Sequence, residues 1–254
     1  MIHSKKEENQ PLLLRSGAII PIDKPLDWTS FDVVNRFRIA VKHTLGLKKI
    51  KVGHTGTLDP KATGLLLLCT GRATKRIEEL MLNSKEYVAT LKLGATTPSF
   101  DTEHPEDTIY SYEHITRDKI EEVLPKFRGV IEQVPPIFSA VSVNGKRAYE
   151  LARKGKDAEL PSKKVIIHSL EIESFQLPYL SLRIVCGKGT YIRSLARDLG
   201  VALQSGAYLT ALRRTHLGAI SVEDAYSIEE LPKMLSQVAL QEEGFPDITP
   251  PNGK

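Results

Sequence analysis

The chain has 254 residues, 41% of them hydrophobic and 26% charged, with a formal net charge of +4; this is enough apolar material for one large or two small domains with a full core. No stretch approaches the eighteen apolar residues of a membrane span, and the opening MIHSKKEENQ lacks the apolar segment of a secretory signal, so the expected location is the cytoplasm, with no membrane partner. Cys69 and Cys186 both sit in apolar strand-like runs, which argues against a disulfide framework, and neither HExxH nor paired CxxC spacing is present, so no metal site is expected.

In chain order, GAIIPIDKP (17–25) reads as a short strand ending in a proline turn. Thr29 or Ser30 can cap a helix that carries Phe31, Val34, Phe37 and Val41 toward Gly46. GHTGTLDP follows as a loop. GLLLLCTG then reads as a strand buried on both faces, and TKRIEELML as a short helix. In EYVATLKLG the period of two groups Tyr87, Ala89, Leu91 and Leu93 on one face. A helix at 117–127 is expected to end at Gly129. Adjacent prolines, an Asn-Gly turn and a short basic helix closed by Gly155 mark residues 130–160 as a projecting hairpin or lobe. The strands KVIIHSLEIESF and YLSLRIVC lead to GKGTYIRSLARDLGVAL, a helix expected to be capped by Thr190, and to the strand YLTALRRT. Residues 1–10 and the tail 241–254 read as disordered and flexible.

Charge is segregated along this order. Residues 33–76 hold ten Lys or Arg against Asp59 alone, while residues 143–164 and 188–214 are each locally +4; residues 99–122 and 220–250 are each −6. If the basic segments converge on one face, they suit a phosphate backbone.

GHTGTLDPKATG (53–64) places Asp59 among glycines and before Pro60, in a loop that allows close backbone approach and a fixed carboxylate. Arg193 falls in the first turn of its helix, where the macrodipole disfavours a cation. A carboxylate partner would offset that cost, and Asp59 is one candidate among thirty-one acids.

KVGHTGTLDPKATGLLLLCTGRATK resembles the catalytic motif of the TruB family of pseudouridine synthases. PIDKPLDWTSFDVV, KEYVATLKLGATT, VPPIFSAVSVNGKRAYELARKG and CGKGTYIRSLARDLG with LRRT resemble further motifs of that family, in order, over residues 17–218. The resemblance implies an α+β fold with a mixed, mostly antiparallel sheet and a central catalytic cleft, within one domain at 11–240. It implies isomerisation of a uridine in the T loop of tRNA, with Asp59 as catalytic carboxylate, Tyr87 stacked on the base and Arg193 as the partner of Asp59. Leu212 and Tyr191 would line the pocket, His54 would take the space vacated by the flipped uridine, and Lys24 would buttress the loop. Residues 130–160 would contact RNA. No role carries over to Asp101, because TTPSFDTEHPED matches the family only loosely. The short stretch after Gly218 leads to the expectation that a C-terminal PUA-type domain is absent, and with it that no guide RNA or obligate protein partner takes part.

The chemistry suits these side chains. Breaking the bond from sugar to N1, turning the base and rejoining it through C5 requires no metal and no cofactor. A carboxylate can add to C1′ or open a glycal route by removing a proton, and the target must leave the stack, which an aromatic platform eases. Two other function classes fit the sequence less well. A non-catalytic RNA-binding protein or tRNA folding aid would not require a carboxylate that repels phosphate. A phosphate-loop NTPase would require GxxxxGK[ST], which does not occur.

Overall fold

The computed structural model describes residues 2–7, 12–139, 141–143, 146–148 and 160–242. Strand β1 (Ile19–Lys24) leads to helix α1 (Ser30–Leu45), then to β2 (Val52–His54) and β3 (Ala62–Thr70). A 3-10 turn and α2 (Ile77–Met81) precede β4 (Lys85–Leu93), the small pair β5 (Ala95–Thr96) and β6 (Thr108–Ile109), and α3 (Arg117–Val123). Next come β7 (Gly129–Gln133), the hairpin β8 (Ser142–Val143) and β9 (Lys146–Arg147), and the long strands β10 (Lys163–Gln176) and β11 (Tyr179–Cys186). Helix α4 (Ile192–Ala202), β12 (Ala207–Leu217), β13 (Ile220–Ser221) and α5 (Leu231–Glu242) complete the chain as described.

The main sheet runs β1-β3-β12-β4-β11-β10-β7, with β2 also on β3 and β13 on β12. All of its pairings are antiparallel except β3 with β12, where Leu212, Arg213 and Arg214 lie beside Ala62, Thr63 and Gly64. This is the expected α+β fold with a mixed, mostly antiparallel sheet. The unbroken apolar run of β3 is explained by its two buried faces. Leu66 and Leu68 pack with α1 and α5 around Phe37 and Leu235, while Leu65, Leu67 and Cys69 face a second cluster with Ile19, Leu217 and Val222. The largest core lies over β4, β11 and β12, closed by α3 and α4. Among the described residues no helix is long and apolar enough to cross a membrane.

Several local expectations change. Thr29 caps α1 through a full capping box with Asp32, and Gly46 ends it in the left-handed region, but Phe31 is exposed and Val33 takes its place in the core. At 100° per residue Phe31 lies roughly 120° around the helix from Phe37, off the apolar stripe. Val52–His54, read as the start of a loop, is a strand paired with Thr70–Leu68. Residues 130–133, assigned to the projecting lobe, form with Gly129 the edge strand against β10. The Asn-Gly turn and the basic helix of the lobe lie outside the described residues, as does the tail from 243. Within the expected disorder of residues 1–10, residues 2–7 are docked: His3 donates its amide to Ile19 O at 2.8 Å, and Lys5 and Lys6 pair with Glu230 and Asp224.

Candidate active site

The Asp59 loop is held from two directions. On one side Thr55 donates its amide to Leu67 O at 3.0 Å, Leu58 N–H donates to Ser30 Oγ at 2.9 Å, and Ala62 closes the turn onto Asp59 O at 3.0 Å. On the other, the fully buried Lys24 donates to Pro25 O at 2.9 Å, Trp28 O at 2.6 Å and Pro60 O at 3.4 Å. An ammonium out of water with only carbonyl partners is costly, and burial pulls the Lys24 pKa down to about 8 despite the opposing charges of Asp59, Asp27 and Asp32. Gly64 is required where β3 meets β12: its φ is +101°, and a Cβ there would stand 2.3 Å from Arg214 O.

Arg193 enters from the first turn of α4. Its Nε is 2.9 Å from Asp59 Oδ2 and 3.7 Å from Asp101 Oδ2, while its two terminal nitrogens donate to Ser99 O at 3.2 Å and Phe138 O at 3.0 Å. The guanidinium side chain is 6% exposed and that of Asp59 37%. The cation is thus sequestered beneath a carboxylate that keeps an open side. Thr190 does not cap α4: the cap position is Tyr191, and Thr190 Oγ1 donates to Gly187 O at 3.1 Å. The cap residue is instead pinned by Gln133 of β7, whose side chain accepts from Tyr191 N–H at 2.8 Å and donates to Tyr191 O at 3.1 Å.

These elements frame a cleft of about 470 Å³ whose lining includes Asp59, Tyr87, Tyr191, Arg193 and Leu212, so five of the seven expected residues meet in one place. Tyr87, on β4, is both core and wall; its ring is largely buried, and burial raises its pKa. Burial likewise raises the pKa of Tyr191. Leu212 sits on β12 beside Ala62, packed on the main core. Lys24 lies beneath the loop rather than on the cleft wall. His54 also falls outside the lining; it sits on β2, and burial, reinforced by Arg214, lowers its pKa, which favours the neutral ring.

Two residues gain importance that their local sequence did not show. Asp101 is buried, its Oδ1 accepts from Ser99 Oγ at 2.6 Å and Glu103 N–H at 2.9 Å, and it supplies the second carboxylate facing Arg193. Arg214 is 1% exposed: it donates to Leu65 O at 2.6 Å and Gly56 O at 3.2 Å, holding the Asp59 loop to β3, and its charge opposes the upward push of burial on the Tyr87 pKa. The adjacent cations of LRRT read as part of an ordinary strand; only the crowding of β12 between β3 and β4 makes Arg214 internal.

The fold and this carboxylate–guanidinium cleft define a pseudouridylate synthase, and comparison with known proteins agrees. Residues 42–192 match the TruB family pseudouridylate synthase N-terminal domain, and residues 193–244 the tRNA pseudouridylate synthase B C-terminal domain. The chain belongs to the TruB family. It is 57% identical over 228 residues to tRNA pseudouridine synthase B of Phocaeicola vulgatus, covering 90% of this chain and 97% of that one. The protein of the same name from Parabacteroides distasonis is 56% identical over 230 residues, covering 90% and 98%. Among solved structures, the archaeal box H/ACA sRNP Nop10-Cbf5 complex aligns with a TM-score of 0.63 at 28% identity, over 94% of this chain and 60% of that chain. A Cbf5-Nop10-Gar1 complex gives 0.63 at 29% identity, over 92% and 58%. The chain therefore spans about three-fifths of the length of those structural relatives.

Proposed function

We propose that this chain converts a uridine in the T loop of tRNA, at position 55, into pseudouridine, acting in the cytoplasm without a guide RNA, a cofactor or a protein partner. The tRNA in this reading is supported by the names of the relatives, and the chemistry by one observation above the rest: Asp59 stands at the cleft with one oxygen 2.9 Å from the buried Arg193 Nε.

The reaction moves no atoms in or out overall. The C1′–N1 bond breaks with its electron pair going to the base, and Asp59 either bonds C1′ or removes the C2′ proton. The base turns and C5 bonds C1′ as the Asp59–C1′ bond breaks or, in the glycal route, as the proton returns to C2′; the C5 proton then leaves and N1 gains one. Arg193, itself held by Asp101 and the carbonyls of Ser99 and Phe138, fixes the direction of the carboxylate through its one contact with Asp59. Tyr87 offers the stacking face for an extruded base, and Leu212 and Tyr191 bound the space in which it turns. The Lys24 clamp on Pro60 O keeps the loop from yielding, and His54, held neutral by burial, suits insertion among stacked bases.

Purified protein incubated with an unmodified tRNA transcript alone, followed by mapping of pseudouridine, tests the reading. Product at position 55, lost in Asp59→Asn while tRNA affinity stays within about threefold, is the expected result. Tight binding by the wild-type protein with no pseudouridine at any position would instead indicate an RNA-binding protein or folding aid.

A further inference from the structure

A second concave surface lies away from the cleft, at the C-terminal end of α1 and the segment leading into β2. This open groove of about 520 Å³ is lined by Arg38, Lys42, Lys48, Lys49 and Lys51 around Ile39, Leu47 and Ile50. Five cations and no acid line it. None of the five makes an ion pair among the described residues; Arg38 donates to Val52 O at 3.0 Å, which fastens the groove wall to β2. The helix end itself works against an anion, since its last carbonyls carry partial negative charge. The density of lysines past Gly46 outweighs that, because each contributes a full charge.

We infer that this groove holds the phosphate backbone of the RNA whose target uridine occupies the cleft. The inference rests on the proposed function and extends it to a second contact surface. Spacing supports the same RNA rather than an independent ligand. Lys51 and the cleft residue Gly56 are five residues apart along the chain, so groove and cleft approach within about 17 Å. An RNA strand leading away from the flipped base spans that distance within a short run of phosphates. The apolar floor suits the sugar edges of such a strand, and the flexible lysines suit a backbone read without regard to sequence.

The test measures the dissociation constant of a tRNA transcript by fluorescence anisotropy across about 50–200 mM salt, the range over which phosphate contacts are most revealing. Three proteins are compared: wild type; Lys48→Gln, Lys49→Gln, Lys51→Gln combined; and a matched control, Lys119→Gln, Lys126→Gln, Lys233→Gln, at exposed positions elsewhere. The groove protein should bind about tenfold or more weaker at 100 mM salt, and the slope of log affinity against log salt should flatten by about 2, at roughly 0.7–0.9 per lost phosphate contact. Its kcat at saturating RNA should stay within about twofold of wild type, and the control should change neither quantity. Circular dichroism melts establish that the combined variant is folded; should it melt early, Lys48→Gln alone should still flatten the slope by about 0.7–0.9. Affinity and slope equal to those of the control would overturn the inference and leave the groove to a partner other than RNA. If the wild-type protein binds tRNA with a groove-dependent slope but makes no pseudouridine, the proposed function fails while the groove stands.

Discussion

Replacing Arg193 by Met removes one side chain and strands four groups. Asp59 and Asp101 lose the cation 2.9 Å and 3.7 Å away, and the carbonyls of Ser99 and Phe138 lose their donor. At an effective dielectric of about 20 the two ionic contacts carry gross attractions of about 6 and 4 kcal/mol. Most of that is offset by the cost of holding the ions out of water, and the partly open Asp59 is screened besides. What remains after removing one partner of a buried pair is typically about 3–5 kcal/mol. For a chain of this size about 1 kcal/mol shifts the melting temperature by about 2–4 °C, so Arg193→Met should melt about 6–20 °C below wild type by circular dichroism. The origin of the loss can be separated from mere cavity formation: adding Asp101→Asn removes the buried carboxylate that Arg193 neutralised, and the double variant should recover part of the deficit. An Arg193→Met protein melting within 2 °C of wild type, or a double variant less stable than the single by the full cost of Asp101→Asn alone, would refute the account of Arg193 as shared counter-charge.

Tyr87→Phe keeps the ring and loses only the hydroxyl, so its kcat/KM should stay close to wild type, whereas Tyr87→Leu should lose about 5–150-fold, the equivalent of one stacked base at about 1–3 kcal/mol; equal activity of the two variants in a single-turnover assay would move the base platform elsewhere. Lys24 titrates near 8 in the fold against 10.5 as its ordinary value. Between those limits the unfolded chain holds the extra proton, so the contribution of this group to stability rises with pH through that window. Denaturant titrations should therefore show wild type gaining on Lys24→Met from pH 7 to 10, and a flat difference would contradict the buried ammonium. Gly64→Ala forces a Cβ to 2.3 Å from Arg214 O at φ +101°; the strain and overpacking together should cost about 2–5 kcal/mol, visible as a lower melting temperature, and unchanged stability would mean that β3 and β12 separate more easily than their register suggests.

The strands that alternate or bury both faces could be read directly, because each periodicity reflects a local geometry. β4, β11 and the first half of β10 are of this kind, and so is the continuous run of β3. The Asp59 loop, Tyr87 and Arg193 were legible as members of a set of motifs, although nothing in their spacing could show that Arg193 lies 2.9 Å from Asp59. What escaped was decided by distant partners. Thr190 has the composition of a cap, yet α4 begins one residue later because Gln133, 58 residues earlier in the chain, answers the backbone of Tyr191. Asp101 sits in a turn without periodicity and acquires its place only when Ser99 and Arg193 fold around it. Lys24, expected as a buttress of the Asp59 loop, owes its place to carbonyls on both sides of Asp59 in sequence, and His54 lies on β2 beside the cleft lining, a strand its own loop-like sequence did not announce.

The parallel seam between β3 and β12 has a consequence for synthesis of the protein on the ribosome. Everything up to residue 206 can assemble two partial sheets, β1 with β2 and β3, and β4 with β11, β10 and β7, but β3 and β4 do not pair with each other. Only β12, at Ala207–Leu217, joins them. A nascent chain therefore carries two bare strand edges through most of its translation, the kind of edge on which chains pair wrongly with one another. Tyr87 and Asp59 stand on opposite banks of that gap. The wall and the floor of the cleft come together only after the last long strand has left the exit tunnel, so no incomplete product of translation can hold an RNA base between them.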